Sequence, residues 1–289
     1  MRLRPFTTGL QLLVEHYSIR GYIPLEGYMV RHHCTAPRLL AKAITHIQHP
    51  DFESVLTAWL RAEFVFDNLL IIAYLGHQQP SLLYHQGHAR TAISHVETQY
   101  LPFAYQLDPY FQLHAKGIAS DVFRLDEVAP DKFQSSRYFR EYYGNAKLED
   151  ELVFVNRIGD DISVHVCLGN DTANGRRFSA RMIRDARALQ PVVTALIEGH
   201  WHDLSPKNEG IKMHGVRELR VSFERTHGIF LTPRQAEVAL MILQGHSSTS
   251  IGLNLGISAQ TVKVFRRQIY RRCDISSQAE LFNLIVSSR

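Results

Sequence analysis

The plainest chemistry in this chain lies near its C-terminus. The stretch GISAQTVKVFRRQIYRRC, residues 256–273, holds five cationic side chains, Lys263, Arg266, Arg267, Arg271 and Arg272, and no acid. Ammonium and guanidinium groups donate hydrogen bonds to anionic oxygens and to the acceptor-rich edge of guanine. On a helix, such a run is either a solvated face or a surface for a polyanion. A second stretch, YLPFAYQLDPYF at residues 100–111, sets one carboxylate, Asp108, among aromatic rings. Standing before Pro109, Asp108 suits a turn or helix cap, and Tyr84, Tyr100, Tyr105 and Tyr110 suit a packed core.

Catalytic patterns are missing: the sequence has no G-x-S-x-G elbow, no phosphate loop and no dinucleotide glycine fingerprint. No enzymatic activity and no cofactor are expected. Histidine is abundant, with 16 residues, but neither His32-His33-Cys34 nor HQGHARTAISH has the spacing of a metal site, and no metal is expected. Cys34, Cys167 and Cys273 are odd in number and far apart, which excludes a disulfide framework and suits reduced thiols. Cys167 falls in a predicted strand, where a buried thiol is inert.

The positive charge is localised. From Ile229 to Arg289 there are seven Lys or Arg against three acids, whereas the preceding residues carry 25 of each. The excess behind the net charge of +4 therefore belongs to the last 61 residues and points to a polyanion partner there. With 289 residues, 45% hydrophobic and 21% charged, the chain has material for two domains with buried cores. No apolar run is long enough to cross a membrane, and GLQLLV after the basic start MRLRPF is too short for a signal peptide, so a cytoplasmic location is expected.

The polar stretch DLSPKNEGIKMHG follows a helix predicted over 178–200. It divides the chain into an N-terminal extension (1–35), a domain at 36–203, a linker at 204–228 and a domain at 229–289. In the last of these, Thr232 caps and Pro233 starts a helix that stops at Gly245. A short helix follows from about Thr249 to Leu255, ended by Gly256, and Ser258 caps a third. Val262, Phe265, Ile269 and Cys273 recur at spacings of three and four, giving one apolar stripe with the basic residues around the rest of the circumference. Two short helices joined at a glycine, the second capped and basic, form a helix-turn-helix pattern. A fourth helix, SSQAELFNLIV, places Leu281, Leu284 and Ile285 on one face, for the core or for a partner.

The string LTPRQAEVALMILQGHSSTSIGLNLGISAQTVKVFRRQIYRRCDISSQAELF resembles the DNA-binding domain of the LuxR family, shared with NarL- and FixJ-type regulators. Gln235, Ser250, Phe265 and Cys273-Asp274 replace the more usual Glu, acid, His and Leu-Gly. The resemblance implies that Lys263, Val264 and Arg267 face base edges in the major groove, with Thr261, Arg266 and Arg271 nearer the phosphates. It further implies double-stranded promoter DNA as partner, a homodimer on two half-sites, and RNA polymerase as a further candidate partner.

In the N-terminal domain, two predicted helices (38–48 and 51–60) precede strands at 64–75 and 81–86. Helices around 92–101 and 135–142, strands at 151–158 and 162–169 joined by the turn Gly-Asp-Asp, and the helix at 178–200 follow. Hairpins among helices predict an α+β chain, with an α/β/α antiparallel-sheet domain followed by an all-α four-helix domain. The first strong strand ends AYLG without an acid, which does not fit a phospho-receiver domain. The arrangement is similar to GAF- and PAS-like sensor domains, including the autoinducer-binding domain of the LuxR family. That resemblance implies a small-molecule effector, with Asp108 receiving a ligand amide and Tyr84, Tyr100 and Tyr105 as pocket wall; Val96 stands where the related pattern carries Trp. A ligand-free dimerisation or protein-interaction module remains the other reading of this domain.

Overall fold

The computed structural model describes residues 35–286 except 77, 88–95, 97–99, 102–103, 145–146 and 206–214. The expected N-terminal extension, most of the helix expected at 92–101, the His32-His33-Cys34 cluster and the middle of the expected linker lie outside the described residues.

Two helices open the described chain. In α1 (Thr35–Thr45) and α2 (Phe52–Glu63), the apolar side chains Phe52, Leu56, Trp59 and Leu60 recur at helical spacing and are fully buried. Strands β1 (Asn68–Leu75) and β2 (Ser81–Gln86) form a hairpin. Helix α3 (Pro109–Ala115), strand β3 (Asp121–Arg124) and the single turn α4 (Leu125–Val128) come next, then a short 3-10 turn at Phe133–Ser135 and a π-helical turn at Phe139–Gly144. The π turn stands where an ordinary helix was expected. Strands β4 (Leu148–Gly159) and β5 (Ile162–Asp171) meet at the Asp160-Asp161 turn, and α5 (Ala180–His200) closes the domain, capped by Ser179.

The five strands lie antiparallel in the order β2-β1-β5-β4-β3. Because side chains alternate along a strand, this register sorts them to two faces. Leu69, Ile71, Leu152, Phe154, Val164, Val166 and Leu168 join α1, α2 and α5 in the main core. Leu70, Ile72, Tyr74, Val153, Val155 and Cys167 face the opposite way, towards Tyr100, Tyr105, Tyr110 and Phe111 from the segment between β2 and β3. The result is an α/β/α arrangement, and it explains why β5 is buried on both faces.

The C-terminal domain is all α. Helices α7 (Pro233–Leu243), α8 (Ser248–Leu255), α9 (Ala259–Cys273) and α10 (Gln278–Val286) follow the expected pattern within a residue or two at each end. A further helix, α6 (Val216–His227), lies within the stretch expected to be linker. Its Leu219 and Phe223 are fully buried in the helical core, and Gly228 ends it in the left-handed conformation. Val216, Leu219 and Phe223, at helical spacing in an otherwise largely charged stretch, suffice here, because α7 and α10 supply the surface they pack on.

Candidate functional site

The helix-turn-helix geometry follows from its caps. Thr232 Oγ1 accepts from the Gln235 amide at 3.2 Å, and Gln235 Oε1 accepts from the Thr232 amide at 3.1 Å, so the glutamine found in place of the usual glutamate completes the capping box. Ser247 Oγ caps α8 and Ser258 Oγ caps α9, accepting from the Thr261 amide at 3.0 Å. Gly256, with φ of +63°, makes the turn between them. Gly252 lets α8 approach α9: a Cβ there would stand 2.7 Å from the Ile257 carbonyl oxygen. Asp274 holds φ of +52° where the related pattern has glycine, a conformation that aspartate tolerates better than most residues.

These constraints fix the face of α9. Val262, Ile269 and Cys273 are buried and Phe265 half-buried, while Thr261, Lys263, Val264, Arg267 and Arg271 are exposed. Arg266 is half-buried, its Nε donating to the Tyr270 hydroxyl at 3.1 Å. Lys263, Arg267 and Arg271 make no ion pair with any described residue. Arg272 differs: it donates to the Phe230 carbonyl at 2.7 Å and to Gln235 Oε1 at 3.0 Å, tying α9 to the start of α7. Leu281, Phe282 and Ile285 of α10 close the helical core.

The second arrangement is a cavity of about 130 Å³ in the N-terminal domain. β1 contributes Leu70, Ile72 and Tyr74, β4 contributes Glu151, and β5 contributes Cys167; Tyr100, Asp108, Tyr110, Tyr138, Tyr142 and Tyr143 come from the segment crossing that face. Tyr74 and Tyr100 share a hydroxyl–hydroxyl bond of 2.7 Å, Tyr100 donates to Asp108 Oδ2 at 2.7 Å, and Asp108 Oδ1 accepts from the Tyr110 amide at 2.9 Å. Asp108 is thus both the cap of α3 and a cavity carboxylate. The structure brings Tyr100 and Asp108 together at the cavity. Tyr105 packs on Phe111 beside it, and Tyr84, paired with Ile71, lies on the other face of the sheet against the main core; neither lines the cavity. Tyr74, Tyr110, Tyr138, Tyr142, Tyr143 and Glu151 were not singled out as wall, although Glu151 continues the period-2 set of Val153 and Val155.

Burial dominates the electrostatics. It raises the Asp108 carboxyl to about 6, against the opposing bonds from Tyr100 and the Tyr110 amide. Burial, followed by the Asp108 charge, raises Glu151 to about 8. Burial pushes the Cys167 thiol up, so this sulfur is not a thiolate nucleophile. Both carboxyls hold their protons more tightly in the fold than in the unfolded chain. Their stabilising contribution is complete below about pH 4 and is lost as pH rises through about 6 for Asp108 and about 8 for Glu151. The melting temperature of the full chain is accordingly expected to fall between pH 5 and pH 9, and Glu151→Gln to flatten the upper half of that fall. A variant with an unchanged melting profile would contradict the placement of Glu151.

The two sites are physically joined. Phe133 touches the rings of Tyr138 and Tyr143, and its backbone lies against Gly245 at the end of α7. The Lys132 amide donates to the Gly245 carbonyl at 2.8 Å, and the Ser247 amide donates to Asp131 Oδ1 at 2.9 Å. Gln106, almost fully buried, accepts from Gln244 through its carbonyl and from the Gly215 amide through its side chain, and donates to Glu218.

A protein of Aeromonas salmonicida described as an HTH-type transcriptional regulator in the exeN 3′ region is 25% identical over 185 residues, covering 62% of this chain and 93% of that protein. The crystal structure of the VqsR LBD domain from Pseudomonas aeruginosa matches with a TM-score of 0.50 at 21% identity, covering 58% of this chain and 98% of that one; the likeness is one of fold. Among the described residues no helix is long and apolar enough to cross a membrane. Residues 230–285 match the family model of the bacterial regulatory proteins of the luxR family, and the C-terminal domain of this chain is a LuxR-family helix-turn-helix domain.

Proposed function

We propose that this chain is a DNA-binding transcription regulator whose N-terminal domain senses a small molecule and thereby sets how paired C-terminal domains bind promoter DNA. The observation that carries the DNA half is the capped α9 presenting Lys263, Arg267 and Arg271 to solvent with no acid among the described residues paired to them, in a domain of a DNA-binding regulator family. Lys263 and Arg267 have the donors for guanine O6 and N7, and exposed Val264 suits contact with a thymine methyl. Thr261, Arg266 and Arg271 sit towards the phosphates, which supply affinity without sequence information. One such domain reads too few base pairs for useful specificity, so two copies act on two half-sites.

The sensing half rests on the cavity and on its route to the helix-turn-helix domain. Tyr138 and Tyr143 line the cavity and touch Phe133, which abuts Gly245. An effector that binds better to one arrangement of these rings shifts the equilibrium by its difference in affinity, and by no more. The same cavity weighs against a purely structural, ligand-free N-terminal domain. The protein acts in the cytoplasm, where promoter DNA is available to it.

A thermal-shift screen of small metabolites on the full chain tests the sensing half. Binding at 100 times the dissociation constant is expected to stabilise the fold by about 2.7 kcal/mol, and Leu70→Trp, which fills the cavity, to abolish the shift. Stabilisation that survives Leu70→Trp would place the ligand elsewhere.

A further inference from the structure

We propose that the cavity takes a small organic cation, an amine or quaternary ammonium, held between the carboxylates of Asp108 and Glu151 and the faces of the surrounding tyrosines. This rests on the reading that the N-terminal domain holds an effector, and it names the chemical class of that effector.

Two features point to a cation, and a third to an acceptor atom beside it. The first is uncompensated acid. Asp108 and Glu151 come from different elements, the cap of α3 and strand β4, and line one cavity whose described lining contains no Lys, Arg or His. The arginines in the adjoining cleft are engaged elsewhere: Arg124 with Asp126 and Asp150, and Arg177 with Glu149. Buried carboxyls without a counter-charge are costly to ionise, and the Asp108 charge adds to the burial that disfavours the ionised form of Glu151. A cationic ligand removes both costs, whereas a neutral ligand removes neither.

The second feature is the wall. Tyr74, Tyr100, Tyr110, Tyr138, Tyr142 and Tyr143 surround the space, and tyrosine faces attract cations, most strongly where water is excluded. The third is the Tyr138 hydroxyl. Tyr138 lines the cavity and makes no side-chain hydrogen bond with a described residue, which leaves its hydroxyl open to a ligand. A ligand acceptor atom beside the cationic group would satisfy it. The volume of about 130 Å³ suits a small molecule.

The test uses matched pairs on the full chain: phenethylamine against phenethyl alcohol, and choline against its uncharged carbon analogue dimethylbutanol, with binding followed by calorimetry and thermal shift at neutral pH. At least one cation is expected to bind and stabilise the chain while its neutral partner does not. Glu151→Gln and Asp108→Asn, both close in shape to the residues they replace, are expected to weaken that cation by about tenfold each. The comparison within each pair needs no variant, so it stands even if one substitution impairs folding. Equal binding of the neutral partners, or cation binding indifferent to both substitutions, would overturn the charge requirement and leave an occupied sensor cavity in place. Failure of every compound in both pairs would overturn the cation proposal, with the effector reading then decided by the wider screen and the Leu70→Trp control.

Discussion

Lys263→Ala and Arg267→Ala are each expected to lower affinity for the DNA sequence that the wild-type chain selects by about 10- to 100-fold, and to relax the preference at one position of each half-site. The two side chains are four residues apart on α9 and share its exposed face, so the double variant should lose less than the sum. Arg271→Ala serves as the contrast. Expected to face phosphate, it should weaken binding to every sequence about equally and reduce the salt slope by about one. None of these residues supports the helical core, so the variants should melt like the wild type. Arg272→Ala, by contrast, removes hydrogen bonds to Phe230 and Gln235 and is expected to destabilise the domain. Unchanged sequence preference in Lys263→Ala and Arg267→Ala would refute the assignment of these two residues to base edges.

Gly245→Ala is expected to separate the two domains without unfolding either. Two physical requirements meet at this residue. Its φ of +92° is one that a residue with a Cβ adopts only under strain, and an added Cβ would stand 2.6 Å from the Phe133 Cα and 2.9 Å from the Phe133 nitrogen. Those are backbone atoms and cannot rotate away, so the 132–133 segment must lift off the end of α7. The strain within the C-terminal domain should cost about 1–3 kcal/mol, and the larger effect falls on the interface. Amide hydrogen exchange at Lys132 and Ser247, whose hydrogen bonds cross that contact, should accelerate strongly, while exchange in β4 and β5 stays slow. Wild-type exchange at both amides would contradict the described contact between the domains.

Gly245 also shows how much the sequence disclosed. Its position after an apolar helix marks a left-handed stop, and the structure agrees, yet nothing local reveals that Phe133, more than a hundred residues earlier, presses on it. The helices from α7 to α10 were legible in the same way, because Thr232, Pro233, Ser258 and Gly256 act on their immediate neighbours and the Val262–Ile269–Cys273 stripe repeats at helical spacing. The strong strands were legible from their apolar content. Helix α6 was not, because Leu219 and Phe223 are sparse among charged residues and become informative only once α7 and α10 surround them. Strand β3 was missed because it has four residues and forms by pairing with β4.

The cavity was legible in part. Tyr100 and Asp108 meet there, but the pattern that suggested them gave no sign of Glu151 from β4 or of Tyr138, Tyr142 and Tyr143 from the turn before it. Tyr84 could be placed only by register: pairing with Ile71 sends its ring to the main core. A cavity between a sheet and a crossing segment is assembled from residues far apart in the chain, and spacing within one stretch cannot show which of them converge.

Control of DNA binding by the cavity is tested most directly by the dissociation constant of the full chain for its selected DNA, with and without a compound that stabilises it through the cavity. The affinity is expected to change by about 5- to 150-fold, and DNA is expected to change the affinity for the compound by the same factor, as linkage between two sites on one molecule requires. A compound that occupies the cavity, loses its effect in Leu70→Trp and yet leaves DNA affinity untouched would contradict the account.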